Sequence, residues 1–312
     1  MRDAVRRWLR ETHGTGFELL RHFTGSFFDS ELTSLPGEWQ KVAAGIVALL
    51  ISLGIVIAQG YMDRYAEMGR SAGAAAIISA IRGDQFGMIA DMMAATALAT
   101  VLQWQSLFPS LRDYLALASL PIRPRQIFLA KGGALLLVFS GFVAAIVTMP
   151  AVAFSVIVAG AWHFPSAWRV TVACFASMAG GCVFVFLTLL ACQGLLLNLL
   201  PARAFARASL VMQGVVFVAT LGGVPLISHQ PWTWWWPPMW FLRLWQAVAT
   251  GHGSARAGLL AIAVPVFAAA TLYLLSYHRY RRLLLESSSV AQAHWSVPDG
   301  PERTSGPALL DL

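Results

Sequence analysis

Apolar residues along this chain collect into long runs separated by short polar and basic segments. Six such runs stand out, at about 42–60, 86–102, 132–158, 170–197, 210–227 and 257–275. Each is at least as long as the roughly 17 residues that a helix needs to cross the hydrocarbon core of a bilayer. The pattern predicts an all-α, polytopic membrane protein with six transmembrane helices. The third run is long and contains Pro150, which predicts a tilt or a kink there.

The chain on either side reads differently. Residues 1–41 are amphipathic, with Val5, Trp8, Leu9, Phe17, Leu20, Phe23, Phe27 and Phe28 recurring at helical spacing among Arg6, Arg7, Arg10 and Arg21. This is the pattern of an interfacial helix, apolar side in the lipid and arginines at the headgroups. The basic start, MRDAVRRWLRETHG, is followed by no apolar stretch, so it does not read as a cleavable signal peptide. The division expected is a cytoplasmic interfacial segment over 1–41, a six-helix domain over 42–277, and a polar, disordered cytoplasmic tail over 278–312.

Composition supports lipid as the solvent. Of the 312 residues 57% are hydrophobic and 12% are charged, with mean hydropathy +0.64. A soluble domain carries about 25% charged residues. The net charge of +7 gives no reason to expect nucleic acid, because the basic residues lie in the short segments between runs and no nucleic-acid module is visible. With the N-terminus inside, 16 of the 22 Lys and Arg residues fall in inside segments. The six outside are Arg64, Arg70, Arg82, Arg169, Arg243 and Arg256. The positive-inside rule therefore places both termini in the cytoplasm. The expected location is the cell membrane, as a multi-pass protein of a bacterial inner membrane.

Few residues invite chemistry. No G-x-x-x-x-G-K-[ST] string and no H-E-x-x-H pair occurs, and the seven histidines are scattered. The chain is thus expected to be no enzyme and to bind no cofactor or metal itself. Cys174, Cys182 and Cys192 lie in one apolar run without ligand spacing and read as buried thiols. Asp91 is the charge inside a run. It either snorkels or faces a cavity, or it marks a translocation path or proton relay. Trp232, Trp234, Trp235, Trp236, Trp240 and Trp245 crowd the segment between the fifth and sixth runs. They read as an interfacial helix or re-entrant pair on the outer side, with stacking on a substrate as the alternative.

The inside loop between the second and third runs, WQSLFPSLRDYLALASLPIRPRQIFLAK (104–131), offers a short amphipathic helix. Leu107, Leu111, Tyr114, Leu115 and Leu117 fall near one side of it, and a break follows at Leu120-Pro121. Such a helix either docks into a groove on a soluble partner or merely reverses the chain. Its second part, LASLPIRPRQIFLAK, resembles the stretch leading into the third span of type-2 ABC exporter permeases. There a leucine-proline pair, basic residues and a hydrophobic-x-Lys step follow the cytoplasmic coupling helix.

The resemblance is to a bacterial branch of that family. It implies a membrane-spanning exporter subunit energised by a separate P-loop ATPase, with ATP and Mg bound through that partner and a second permease copy or half beside it. It further implies an ATPase-coupling loop in which Leu111 and Tyr114 fill a groove, Arg112 and Asp113 make polar contacts, and Arg123, Arg125 and Lys131 hold the next helix at the inner headgroups. Members of the branch are often longer, so the chain would correspond to a half-size subunit or to an N-terminal half. Two rival readings stay open, a secondary ion-coupled transporter and a membrane scaffold without transport activity.

Overall fold

The computed structural model describes residues 16, 18–25, 48, 59–68, 70, 73–108, 124–161, 166–227, 235–251 and 254–295. Every regular element among them is a helix. In chain order these are α1 (Ala74–Leu102), α2 (Pro124–Ala161), α3 (Ala167–Leu199), α4 (Ala202–Ile227), α5 (Pro237–Thr250) and α6 (Arg256–Trp295), with a 3₁₀ turn at Trp104–Ser106 after α1. Residues 18–25 and 59–68 are also helical.

Among the described residues, five helices are long and apolar enough to cross a membrane: Ala76–Leu102, Arg125–Ala159, Ala167–Leu199, Ala204–Gly222 and Arg256–His278. They contain the second, third, fourth and sixth apolar runs and most of the fifth. The run at 42–60 lies largely outside the described residues.

The helices are longer than the runs. α1 begins at Ala74, a dozen residues before the apolar run, so the stretch expected to be loop as far as Asp84 is partly helical. The reason is that Ile77, Ile81, Gln85 and Ile89, one helical turn apart, are all buried on one face. Arg82 projects from another face and stays exposed. α2 runs unbroken through Pro150, which has no N–H to offer the carbonyl four residues back. α6 extends to Trp295, so the polar tail is helical for its first part, where composition alone predicted disorder.

α3 is the axis of the bundle and touches each of the other five helices. Small residues let it do so. A Cβ on Gly180 would stand 3.1 Å from the Phe241 ring, one on Gly181 2.9 Å from Met93 Cγ, and one on Gly194 3.1 Å from Leu272 Cβ. Between helices surrounded by lipid, this close approach is the main source of packing energy.

Buried polar side chains cross-link the same helices. Gln85 Nε2 on α1 donates to Ser177 Oγ on α3 at 3.0 Å, and the Trp245 indole of α5 donates to Cys174 Sγ at 3.2 Å. Cys174 and Cys182 are free thiols inside the core, as the sequence implied; Cys192 is half-buried.

α5, in the tryptophan-rich segment, packs into the bundle core. Phe241, Leu242 and Trp245 are fully buried in the bundle. At 14 residues, or roughly 21 Å at 1.5 Å per residue, it is too short to cross a bilayer core. Phe241 packs on Gly180, halfway along α3, while Gly251 at its other end lies against Arg169 near the start of α3. Gly251 closes the helix in the left-handed region at φ 75 and donates its N–H to the Ala247 carbonyl. Of the tryptophans in the cluster, Trp232 and Trp234 lie outside the described residues.

Candidate functional site

Three places in the bundle could form a site, two of them polar and aromatic and the third an apolar cavity. The first is the end where α1 finishes, α2 starts and α3 finishes. Trp104, in the 3₁₀ turn, is 2% exposed. Its indole donates to Ser209 Oγ on α4 at 2.6 Å, and its carbonyl accepts from Gln193 Nε2 on α3 at 2.8 Å. Gln213 Nε2 also reaches Ser209 Oγ, at 3.3 Å.

Leu107 and Phe108 follow into the same core, with the Phe108 ring 5.4 Å from Tyr273 on α6. Tyr273 Oη donates to the Phe128 carbonyl near the start of α2 at 3.2 Å. Asn198 Nδ2 donates to Ser276 Oγ, tying α3 to α6 at 3.0 Å. The chain thus enters the segment 109–123 from a root bonded to α3 and α4, and leaves it into α2, which is bonded to α6.

Leu107, on the apolar side of the loop segment, is 1% exposed and belongs to the bundle core. One expectation at this end is corrected. Lys131, assigned to the headgroup edge, is 5% exposed. Its ammonium lies 5.0 Å from the centroid of the Phe23 ring, a cation–π geometry. Phe23 and Leu19 come from the helical stretch 18–25 and are buried against α2 and its neighbours. The apolar face of that amphipathic stretch is therefore covered by protein at these two positions and not only by lipid. Glu18 and Arg21 pair on its exposed side at 3.8 Å. Arg125 is exposed. Leu111, Arg112, Asp113, Tyr114 and Arg123 lie outside the described residues.

The second place is the opposite end of α1. Asp84 accepts from Arg64 at 2.6 Å and from Tyr65 Oη at 2.6 Å, joining the stretch 59–68 to α1. Tyr61 and Tyr65 stack on each other and meet the Phe154 ring of α2. Burial pushes the Tyr61 phenol up to about 12, the negative charges of Asp84 and Asp91 add to the rise, and Arg64 opposes it. Burial, then the hydrogen bond to Asp84, raises Tyr65 as well. Both phenols stay protonated at working pH, and Tyr65 serves as a donor to Asp84. Asp91, two turns beyond Asp84, is exposed on the helix side, and among the described residues it forms no ion pair. It does not meet Arg125, which lies at the other end of the bundle.

The third place is the tip of α5. Met93, Ala94 and Ala97 of α1, Val215 and Ala219 of α4, and Pro237 of α5 line a cavity of about 380 Å³. Trp236 closes part of its wall. α4 on the far side buries little of its span, and Leu210, Val211 and Val218 are exposed on it.

Sequence reasoning singled out Asp91 and the loop, and it missed Trp104, Gln85, Gln193 and Asp84. Gln85 and Gln193 had a visible signal, since an amide near or within an apolar run needs a partner on another helix.

The residues described form an all-helical bundle with five helices of membrane-crossing length and apolarity, the architecture of a multi-pass membrane protein. The chain matches no family model, no curated protein and no solved structure.

Proposed function

We propose that the chain is the membrane-spanning permease subunit of an ATP-driven exporter, energised by a separate P-loop ATPase. In this reading the run at 42–60 supplies a sixth span and both termini are cytoplasmic. α5 is then a half-helix dipping from the outer face, and ATP and Mg bind on the partner. The observation that carries it is the loop root. The family-like segment 104–131 starts from Trp104, whose hydrogen bonds to Ser209 and Gln193 join it to α4 and α3. A loop anchored in this way passes a push from a soluble partner to two helices at once.

The mechanism follows from that anchoring. Closure of the ATPase pair displaces the helix carrying Leu111, Arg112, Asp113 and Tyr114, with Arg123 and Arg125 holding the start of α2 at the headgroups. The push travels through Trp104 to α4, which is the less buried helix and so the cheaper one to move. A second permease copy or half encloses the path.

The test is purification from native membranes in mild detergent. A P-loop ATPase is expected to accompany the wild-type chain, and Leu111→Asp with Tyr114→Asp is expected to release it without affecting insertion. Retention of the ATPase by that double variant sinks the assignment of the loop. Orientation has its own check. In a variant lacking the native cysteines, a cysteine at Ser110 should react only after the membrane is opened, and one at Ser254 should react in intact cells. The opposite pattern inverts the topology.

A second reading rests on Asp91, a carboxylate exposed on α1 within a candidate span. A proton-coupled carrier predicts transport that survives ATP depletion and fails in Asp91→Asn. Transport that stops when ATP is removed excludes it.

A further inference from the structure

The tip of α5 has an uncommon chemistry for a helix end placed midway along a bundle. A helix N-terminus leaves four N–H groups without intrahelical partners and carries partial positive charge, which draws anions and polar ligands. Half-helices inside transporters use such ends to hold charged groups. In α5 the first two positions are Pro237 and Pro238, so two of those N–H groups do not exist. The Met239 N–H is taken by the Trp236 carbonyl at 3.0 Å. The end has been stripped of most of its donors.

The cavity it faces is apolar on its other walls. Met93, Ala94 and Ala97 face Val215 and Ala219 across about 380 Å³. The hydroxyl of Thr220, also on the wall, is occupied by a bond to the Val216 carbonyl at 2.7 Å. A water needs two to four polar partners, which this lining does not provide, and a dry apolar cavity of about 150 Å³ already binds a small hydrocarbon. Val215 and Ala219 are exposed, and Val211 and Val218 beside them extend the same apolar surface. The mouth between α1 and α4 is therefore open and apolar, and in a bilayer it would face hydrocarbon.

We propose that this cavity binds one acyl chain of a bilayer lipid, which enters between α1 and α4 and ends against Pro237 and Pro238. The site depends on the chain residing in a bilayer and not on what energises it, so its test needs no ATPase.

The test is photolabelling of the purified full chain in nanodiscs made from a phospholipid with a diazirine in the middle of one acyl chain, read by peptide mass spectrometry. Adducts are expected on Met93 and Val216, at a higher yield than on Leu260 and Phe267, which are exposed on α6. Ala94→Phe fills the cavity from α1 and Ala219→Phe from α4; each should abolish the cavity adducts and leave those on α6. Should Ala94→Phe fail to fold, Ala219→Phe, at an exposed position, gives the same readout. Cavity yields no higher than those on α6, or yields unchanged in a folded cavity-filling variant, would overturn the proposal.

Discussion

If the chain is the exporter subunit proposed above, replacing Trp104 with alanine is expected to leave the proposed ATPase partner bound while cutting its mechanical link to the bundle. The truncation removes a fully buried indole, a change that costs about 3–5 kcal/mol in a packed core. It also removes the shorter of two hydrogen bonds to Ser209 Oγ, at 2.6 Å, and leaves only the longer one from Gln213 at 3.3 Å. The residues assigned to partner binding, Leu111 to Tyr114, are untouched. Spin labels at Val172 on α3 and Val218 on α4, both exposed, report the consequence.

In the wild-type complex, trapping the ATPase with ATP and vanadate should change the distance between the labels. In Trp104→Ala that change should shrink or vanish, although the ATPase still co-purifies. Trp104→Phe separates packing from the bond. It keeps most of the ring volume and loses the hydrogen bond, which averages about 0.6 kcal/mol between membrane helices, so an intermediate response is expected. An unaltered distance change in both variants would mean that the push reaches α4 by another route.

Gly258→Leu should loosen α5 from α6. A Cβ at position 258 would stand 2.9 Å from Leu244 Cβ and 3.1 Å from the Trp240 carbonyl oxygen. Neither atom can rotate away, because one is on the backbone and the other is bonded directly to it. The helix pair must separate, and overpacking of this kind costs about 1–3 kcal/mol. Cys174 gives the readout, since the Trp245 indole of α5 covers its thiol at 3.2 Å. In a melt followed with a thiol-reactive dye, Gly258→Leu should expose Cys174 several degrees below the wild type, and Gly258→Ala should fall between them. Coincident curves would show that α5 yields to a larger residue without strain.

How far this architecture was legible in the sequence depends on which physical signal each part uses. Runs of apolar residues reported where helices meet hydrocarbon, so the second to sixth runs all lie within observed helices. They could not report where a helix leaves lipid and continues among protein neighbours. Residues 74–85 are the clearest case: RGDQ (82–85) reads as loop, yet Gln85 is buried against Ser177 and Asp84 is held by Arg64 and Tyr65. Those partners lie up to 92 residues away, and no window along the chain contains both.

The tryptophan segment left an interfacial helix and a re-entrant pair both open for a related reason. Indoles prefer the headgroup layer, but Trp245 found a thiol donor-acceptor in the core, and the pattern carries no trace of Cys174. Lys131 was placed at the headgroups by the resemblance, which carries no trace of the Phe23 ring 5.0 Å from its ammonium. The amphipathic pattern of that stretch was visible at Leu20 and Phe23, but not that its apolar side would meet α2, where a Cβ on Gly133 would stand 3.0 Å from Leu20 Cδ1. Periodicity identifies a face that must be buried and is silent about what buries it.

The central claim is that the segment after Trp104 is the surface on which a soluble ATPase acts. Its most direct test is a photo-activatable amino acid placed at Leu111 and irradiated in native membranes, followed by identification of the adduct by mass spectrometry. The account predicts a single principal adduct with a P-loop ATPase, lost when Tyr114→Asp is added. An adduct with lipid alone, or a side chain at position 111 that reagents reach from outside intact cells, would contradict it.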